Sequence, residues 1–244
     1  MAELTGQIRY QLLLLMRTPR GLFAGLLFPL VLLVLRSGGH PRPAVEAGLV
    51  AGLTILGVIS TAYLTHATGL VSARQDGVLR RWRATPLPRW CFFAGRSAAT
   101  VLLAVAGAAV TVLSGALFYG VRPPASGVAT LLLAVVLGAL AWAAIGTAVS
   151  AFIPSAQSAQ PLLALTFYPV TLLSGVFGPV GNQPGWLESV VRYLPVRPIV
   201  DAATSALRHG GAFSGSDLAV LAGWALAGIL ASLVFFRWDP RRTG

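Results

Sequence analysis

Residues 125–153 read ASGVATLLLAVVLGALAWAAIGTAVSAFI, a run without one charged side chain. An α-helix rises 1.5 Å per residue, so about 20 such residues cross the ~30 Å hydrocarbon core of a bilayer. The run exceeds that thickness, so its ends must tilt or project into water. It also lacks the short segments of alternating polarity that a transmembrane barrel requires. Working outward, five further apolar blocks appear: Gly21 to Leu35, Ala47 to Val71, Phe92 to Tyr119, Gln160 to Val180 and Leu218 to Phe236. The expected fold is an all-α integral membrane protein with six transmembrane helices, forming a single domain over residues 1–244.

Composition agrees. Hydrophobic residues make up 56% of the chain and charged residues 10%, with a mean hydropathy of +0.77. A soluble domain carries about a quarter charged residues. All 18 basic residues are arginine, a usage resembling that of a GC-rich bacterial genome. The net charge of +11 raises nucleic-acid binding as a question, but the arginines cluster at the ends of apolar blocks. Membrane topology accounts for them and nucleic acid does not. Cys91 is the only cysteine, so no intrachain disulfide can form.

Ahead of the first block, residues 1–20 carry Leu4, Ile8, Leu12 and Leu15 at helical spacing among Glu3, Arg9 and Arg17. This reads either as an interfacial amphipathic helix or as the start of the first span. The first span itself is short, and its flanking Arg20 and Arg36 are expected to snorkel to the headgroups. A signal peptide competes with that reading, but the sequence after Leu35 lacks a small-x-small cleavage pattern. Arg122-Pro123-Pro124 makes a tight turn before residue 125, and the uncharged Ile153 to Gln160 links the fourth and fifth spans.

With the N terminus inside, the cytoplasmic side collects Arg9, Arg17, Arg20, Arg74, Arg80, Arg81, Arg83, Arg89, Arg96, Arg237, Arg241 and Arg242. The outer side holds Arg36, Arg42, Arg122, Arg192, Arg197 and Arg208. Twelve against six places both termini in the cytoplasm, as six spans require.

The loop at 74–90 is the most informative stretch: Arg74-Gln75-Asp76-Gly77-Val78-Leu79-Arg80-Arg81-Trp82-Arg83-Ala84-Thr85-Pro86-Leu87-Pro88-Arg89-Trp90. Asp76 and Arg80 have the spacing of a helical ion pair. Val78, Leu79 and Trp82 form a small apolar face beside a basic one, and Pro86 and Pro88 stop the helix. A short exposed helix held between two rigid spans suits docking of a partner. The plainer reading is a positive-inside loop with an interfacial tryptophan.

A second stretch lies before the last block. Pro161, Pro169 and Pro179 interrupt the fifth span, and residues 181–216 follow as an external segment. Trp186, Leu187, Val190, Val191 and Leu194 make an apolar stripe too short to span, which reads as a re-entrant or interfacial helical pair. An amphipathic loop resting on lipid is the alternative.

Within the bilayer, His66 reads as the only ionisable side chain well inside a span, with Thr54, Thr61, Thr65 and Thr68 at helical intervals around it. Interhelical hydrogen bonding is the commoner role for such a histidine. Gly21/Gly25 and Gly48/Gly52 are G-x-x-x-G pairs that permit close helix approach. Without lysine there is no Walker A motif, no Cys/His group has metal-ligand spacing, and no predicted span carries Asp or Glu. Ser114 and Ser174 precede glycines but have no credible histidine base.

The loop from Asp76 to Trp90 closely resembles the signature between the second and third spans of type-2 ABC exporter permeases, especially their daunorubicin-resistance (multidrug) branch. The order Ser174-Gly175-Val176-Phe177-Gly178-Pro179, Trp186-Leu187, then Leu194-Pro195-Val196-Arg197-Pro198-Ile199-Val200-Asp201 resembles the same family's segment before its last span. The resemblance implies a half-transporter in the bacterial inner membrane, pairing with a second copy of itself or a related permease. It also implies a separate ABC ATPase subunit that binds ATP and magnesium, with no cofactor on this chain. Arg74, Asp76, Gly77, Val78, Leu79, Arg80, Arg81, Trp82, Pro86, Pro88 and Arg89 would couple to that ATPase.

The hydroxyls, histidine and aromatics of the apolar interior make Thr61, Thr65, His66, Phe167, Ser174 and Phe177 the expected substrate-pathway residues. On the family resemblance, Trp186, Leu187, Leu194, Pro195 and Asp201 would form an external gate. The family's commoner Phe-Pro is here Phe177-Gly178-Pro179, and its Leu-Pro before tryptophan is Gln183-Pro184-Gly185-Trp186, changes that bear on gate shape and substrate preference. The expected function is export of an amphiphilic drug or antibiotic. Lipid or polysaccharide export is the rival within the family; an intramembrane enzyme and an assembly subunit are rivals outside it.

Overall fold

The computed structural model describes residues 6, 10–13, 27–36, 43–84, 88–174, 176 and 185–236. Every regular element among them is helical. Four helices are long and apolar enough to cross a membrane: Ala47–Gln75, Trp90–Tyr119, Ala125–Ser150 and Gly215–Phe235. The first predicted span is described only as α1, Phe28–Arg36.

The first of the four begins as α2, Pro43–Ile59, passes through a π-helical segment, Ser60–Thr65, and continues as α3, His66–Gln75. It is the core of the protein: 94% of its most apolar window is buried, against 11% for the last of the four. A short helix, α4, spans Val78–Arg83, and the long α5 runs Arg89–Tyr119. Gly120, at φ 69°, stops α5, and the Arg122-Pro123-Pro124 turn leads into α6, Ala125–Ser150, as the sequence predicts.

The fifth predicted span forms α7, Ala156–Leu173, which starts four residues earlier than expected. Ser155 caps it: its hydroxyl accepts from Ser158 N at 3.2 Å, and Ser158 Oγ accepts from Ser155 N at 3.3 Å. The polar first turn, Ala156 to Gln160, makes this helix less apolar than α6.

Two shorter helices follow, α8 at Gly185–Arg192 and α9 at Arg197–His209, before α10 at Gly215–Phe235. Helix α9 is amphipathic and lays Pro198, Ile199, Ala202, Ala203 and Ala206 against α2 and α6. Its placement follows from two glycines of α6. A methyl on Gly127 would lie 2.1 Å from Ala206 O, and one on Gly138 would lie 3.0 Å from Ile199 Cδ1. Those glycines are separated by about 16 Å along α6, so α9 runs antiparallel to α6 and reaches well down its length. On the other side, Trp224 Nε1 of α10 donates to Tyr193 O at 2.8 Å and pins the α8–α9 turn.

Helices α5, α6, α7 and α10 turn large apolar side chains outward, including Leu117 at 79%, Leu165 at 71% and Leu233 at 77% exposure. Such continuous outward apolarity suits hydrocarbon, not water.

Candidate functional site

The loop after α3 is built by a reversal at Asp76 and Gly77. Gly77 adopts φ 70°, a left-handed conformation that a side chain would resist, and it starts α4 in a new direction. This break corrects one expectation. Asp76 and Arg80 do not share a helix and form no ion pair; instead the Asp76 carbonyl accepts from Arg81 Nη2 at 3.4 Å.

Helix α4 has an inner and an outer face. Leu79 is fully buried, packed with Leu70 of α3 and Phe92 of α5, with Trp82 half-buried beside them. The Trp82 and Phe92 rings lie 5.6 Å apart, and the aromatic chain continues through Phe93 to Phe236, the residue just after α10. The apolar face predicted to be open to a partner is therefore turned inward at Leu79. The reason is local: six residues of helix sit over the wedge between α3 and α5, and Leu79 fills it. Gln75, Asp76, Arg80, Arg81, Ala84 and Pro88 are exposed, while Gly77 and Val78 are half-buried. Pro86 lies outside the described residues, and of Arg89 only the helical backbone is described.

Arg74 also points inward, at 3% exposure. Its Nη1 donates to Ser150 O at 3.1 Å and its Nη2 donates to Ile153 O. The next residue, Gln75, accepts from Ala156 N at 2.8 Å through Oε1.

Deeper in the bundle, His66 bridges two helices. Nδ1 is hydrogen-bonded to Thr100 Oγ1 of α5 at 2.9 Å and Nε2 to Thr147 Oγ1 of α6 at 3.0 Å. Interhelical hydrogen bonding, expected from the sequence, is what its ring does here. His66 is not the sole ionisable group within the helices, however. Arg96 of α5 is buried, donating from Nη2 to His66 O and from Nη1 to Gln11 Oε1, both at 3.2 Å. Gly69 makes room for it, since a methyl there would lie 2.1 Å from Arg96 Nη2.

The expected threonine stripe is broken, because the π-helical segment changes the helical phase between Thr54 and Thr65. Thr54 bonds back to Val50 O at 2.7 Å, Thr61 is buried, and Thr65 and Thr68 are half-buried. Such segments occur frequently at functional sites. This one carries Tyr63, whose ring meets Trp142 edge-on at 5.3 Å and stacks over Phe167 at 6.4 Å. The Tyr63 hydroxyl shares a 2.6 Å hydrogen bond with Thr166 Oγ1. Ser174 is buried, donating to Val170 O at 2.6 Å. Of the six expected pathway residues, Thr61, His66, Phe167 and Ser174 thus lie in the packed interior, and Phe177 lies outside the described residues.

An apolar groove of about 920 Å³ opens between α5, α6 and α10, lined by Phe93, Ser97, Ala144, Thr147, Ala225 and Ile229 among others. None of the five expected pathway residues that are described lines it. Thr147 connects the two regions, facing the groove while bonding His66.

At the opposite end, Trp186 is exposed, Leu187 and Leu194 are half-buried, and Pro195 is buried. The stripe on α8 divides, with Val191 turned inward and Trp186 and Val190 outward. Asp201 is exposed and accepts from Arg197 Nε at 2.8 Å.

The model of one protein family, described as ABC-2 type transporter, matches residues 1–207. The chain is also similar to the "Probable multidrug ABC transporter permease YbhR" of Escherichia coli (strain K12) and to the protein of the same name in Escherichia coli O157:H7. Each is 27% identical over 157 residues, 64% of this chain and 41% of the relative. The chain thus spans less than half the length of these curated relatives.

Proposed function

This chain belongs to the ABC-2 type transporter family, and from that premise we propose that it is the membrane permease subunit of an ATP-driven exporter. The single observation that carries the coupling role is the outer face of α4. Arg80 and Arg81 stand exposed on a short helix whose inner face is fastened by Leu79 to α3 and α5, with Asp76 exposed in the reversal just before it. A partner ATPase seated on that face would move two long helices at once. Alternating access needs a nucleotide-bound partner that binds one conformation more tightly than the other, and α4 is the site at which that difference acts.

On this reading the chain is a six-span permease of the bacterial inner membrane with both termini in the cytoplasm. The segment containing α1 is span one, α7 is span five, and α8 with α9 forms the re-entrant outer pair. The placement of α9 deep along α6 supports the last assignment. A second copy or a related permease completes the transporter. The substrate is amphiphilic or lipophilic, a drug or antibiotic in the first instance. The apolar groove with hydroxyls at Ser97, Thr147 and Ser232 suits such a molecule and keeps lipid export as the second reading.

The test is co-purification of the tagged chain with the candidate ATPase subunits of its source organism, followed by ATP-dependent dye transport in reconstituted vesicles. Capture and transport support the exporter. Well-folded chain that captures no ATPase contradicts it.

A further inference from the structure

The consecutive residues Arg74 and Gln75 each reach across to a different helix end. Helix α6 stops at Ser150; Thr147 O, Ala148 O and Val149 O are taken by Ser150 Oγ, Ala151 N and Phe152 N, which leaves Ser150 O to be met from outside the helix. Arg74 places one guanidinium between Ser150 O, at that end, and Ile153 O, in the turn beyond it. A cation at a helix C-terminus is also favoured by the helix dipole. Helix α7 begins at Ala156 with the reverse need, for acceptors. Ser155 supplies one to Ser158 N, and Gln75 Oε1 supplies another to Ala156 N. The turn at 151–155 is thus held at its start by Arg74 and at its end by Gln75. Both belong to the last turn of α3, directly before the Asp76–Gly77 reversal.

We propose that Arg74 and Gln75 are positioning residues that clamp the loop carrying α4 to the α6–α7 turn, so that α6 and α7, as well as α3 and α5, follow any displacement of α4. Leu79 ties α4 to α3 and α5, and the clamp adds the end of α6 and the start of α7. Helix α7 needs such a tie, since among the described helices it packs mainly on α3 and the π-helical segment and turns Leu162, Leu165 and Leu172 outward. Arg74 is suited to the task because its planar fork of donors can hold two carbonyls in fixed geometry. A lysine carries the charge but not the fork. The consequence for transport rests on the permease reading above, whereas the clamp itself is a property of this chain alone.

The experiment uses the full chain in lipid nanodiscs, with Cys91→Ser to remove the native thiol. Nitroxides at Ala84, after α4, and Gln157, on α7, report their separation by electron–electron double resonance. A control pair at Leu117 and Val128 reports α5 against α6. The unmodified clamp gives one narrow Ala84–Gln157 distribution. Arg74→Gln and Gln75→Ala each broaden or shift it, Arg74→Lys falls between, and the control pair stays unchanged. An Ala84–Gln157 distribution identical in all variants overturns the clamp. Broadening of both pairs also overturns it, because the substitutions would then loosen the whole bundle. Capture of an ATPase is measured separately, so failure of the exporter reading leaves this result standing.

Discussion

His66 Nε2 lies 3.0 Å from Thr147 Oγ1, joining the start of α3 to the last turn of α6. Both threonines that flank the ring also donate to carbonyls of their own helices, Thr100 to Arg96 O at 2.9 Å and Thr147 to Ala143 O at 2.8 Å. A neutral imidazole has one donor and one acceptor. One of the two threonines must therefore give up its carbonyl to donate to the ring. The bridge is correspondingly modest in energy.

Thr147→Val should lower unfolding stability by about 0.6 kcal/mol and by no more than about 1.7, the average and the maximum found for interhelical hydrogen bonds in a membrane bundle. His66→Ala should lower it by more, about 2–4 kcal/mol, because it also leaves a cavity. Denaturant titration in mixed micelles measures both. Equal losses would mean that the hydrogen bond, and not the packing, is the larger contribution of His66.

Glycines in this bundle divide by what surrounds them. A methyl at Gly52 would lie 2.0 Å from Val176 O, and backbone cannot easily move aside. Gly52→Ala should therefore destabilise by about 1–3 kcal/mol. Gly223 on α10 has nothing within 4 Å, so Gly223→Ala should be neutral or slightly stabilising. Thermal melts in detergent compare the two.

The groove over α6 offers a test of the substrate class. Ala222 lines it from α10 and is exposed, so Ala222→Phe fills space without entering the core. Affinity for a lipophilic transported dye should fall by about tenfold, equivalent to 1.4 kcal/mol. Quenching of Trp90, another lining residue, by a brominated analogue reads the binding directly. Unchanged affinity would place the substrate elsewhere.

Much of this architecture is legible in one dimension. The apolar runs at 47–71, 92–119, 125–153 and 218–236 fall on helices because bilayer thickness fixes their length, and the proline turn before Ala125 marks itself. What the sequence hides is direction. Arg74 and Arg96 sit near the ends of apolar blocks, where arginine ordinarily reads as a topology charge in the headgroups, yet both turn into the protein to reach carbonyls. Gly69, a gap opposite Arg96, is the one signal that would have placed it. Leu79 misleads for another reason: a helix of six residues is too short for periodicity to say which face is covered. The groove is assembled from three helices distant in sequence, so no local pattern announces it.

The central claim is that the exposed face of α4 seats an ATPase while its inner face only fastens the helix. The most direct measurement compares ATPase capture by the wild-type chain, by Arg80→Glu/Arg81→Glu and by Leu79→Ala, each checked for folding by size-exclusion chromatography. Leu79→Ala should lose about 2–5 kcal/mol of packing and yet retain capture in whatever fraction stays folded. The charge-reversed pair should stay fully folded and lose capture. Undiminished capture by Arg80→Glu/Arg81→Glu would contradict the account and move the contact away from α4.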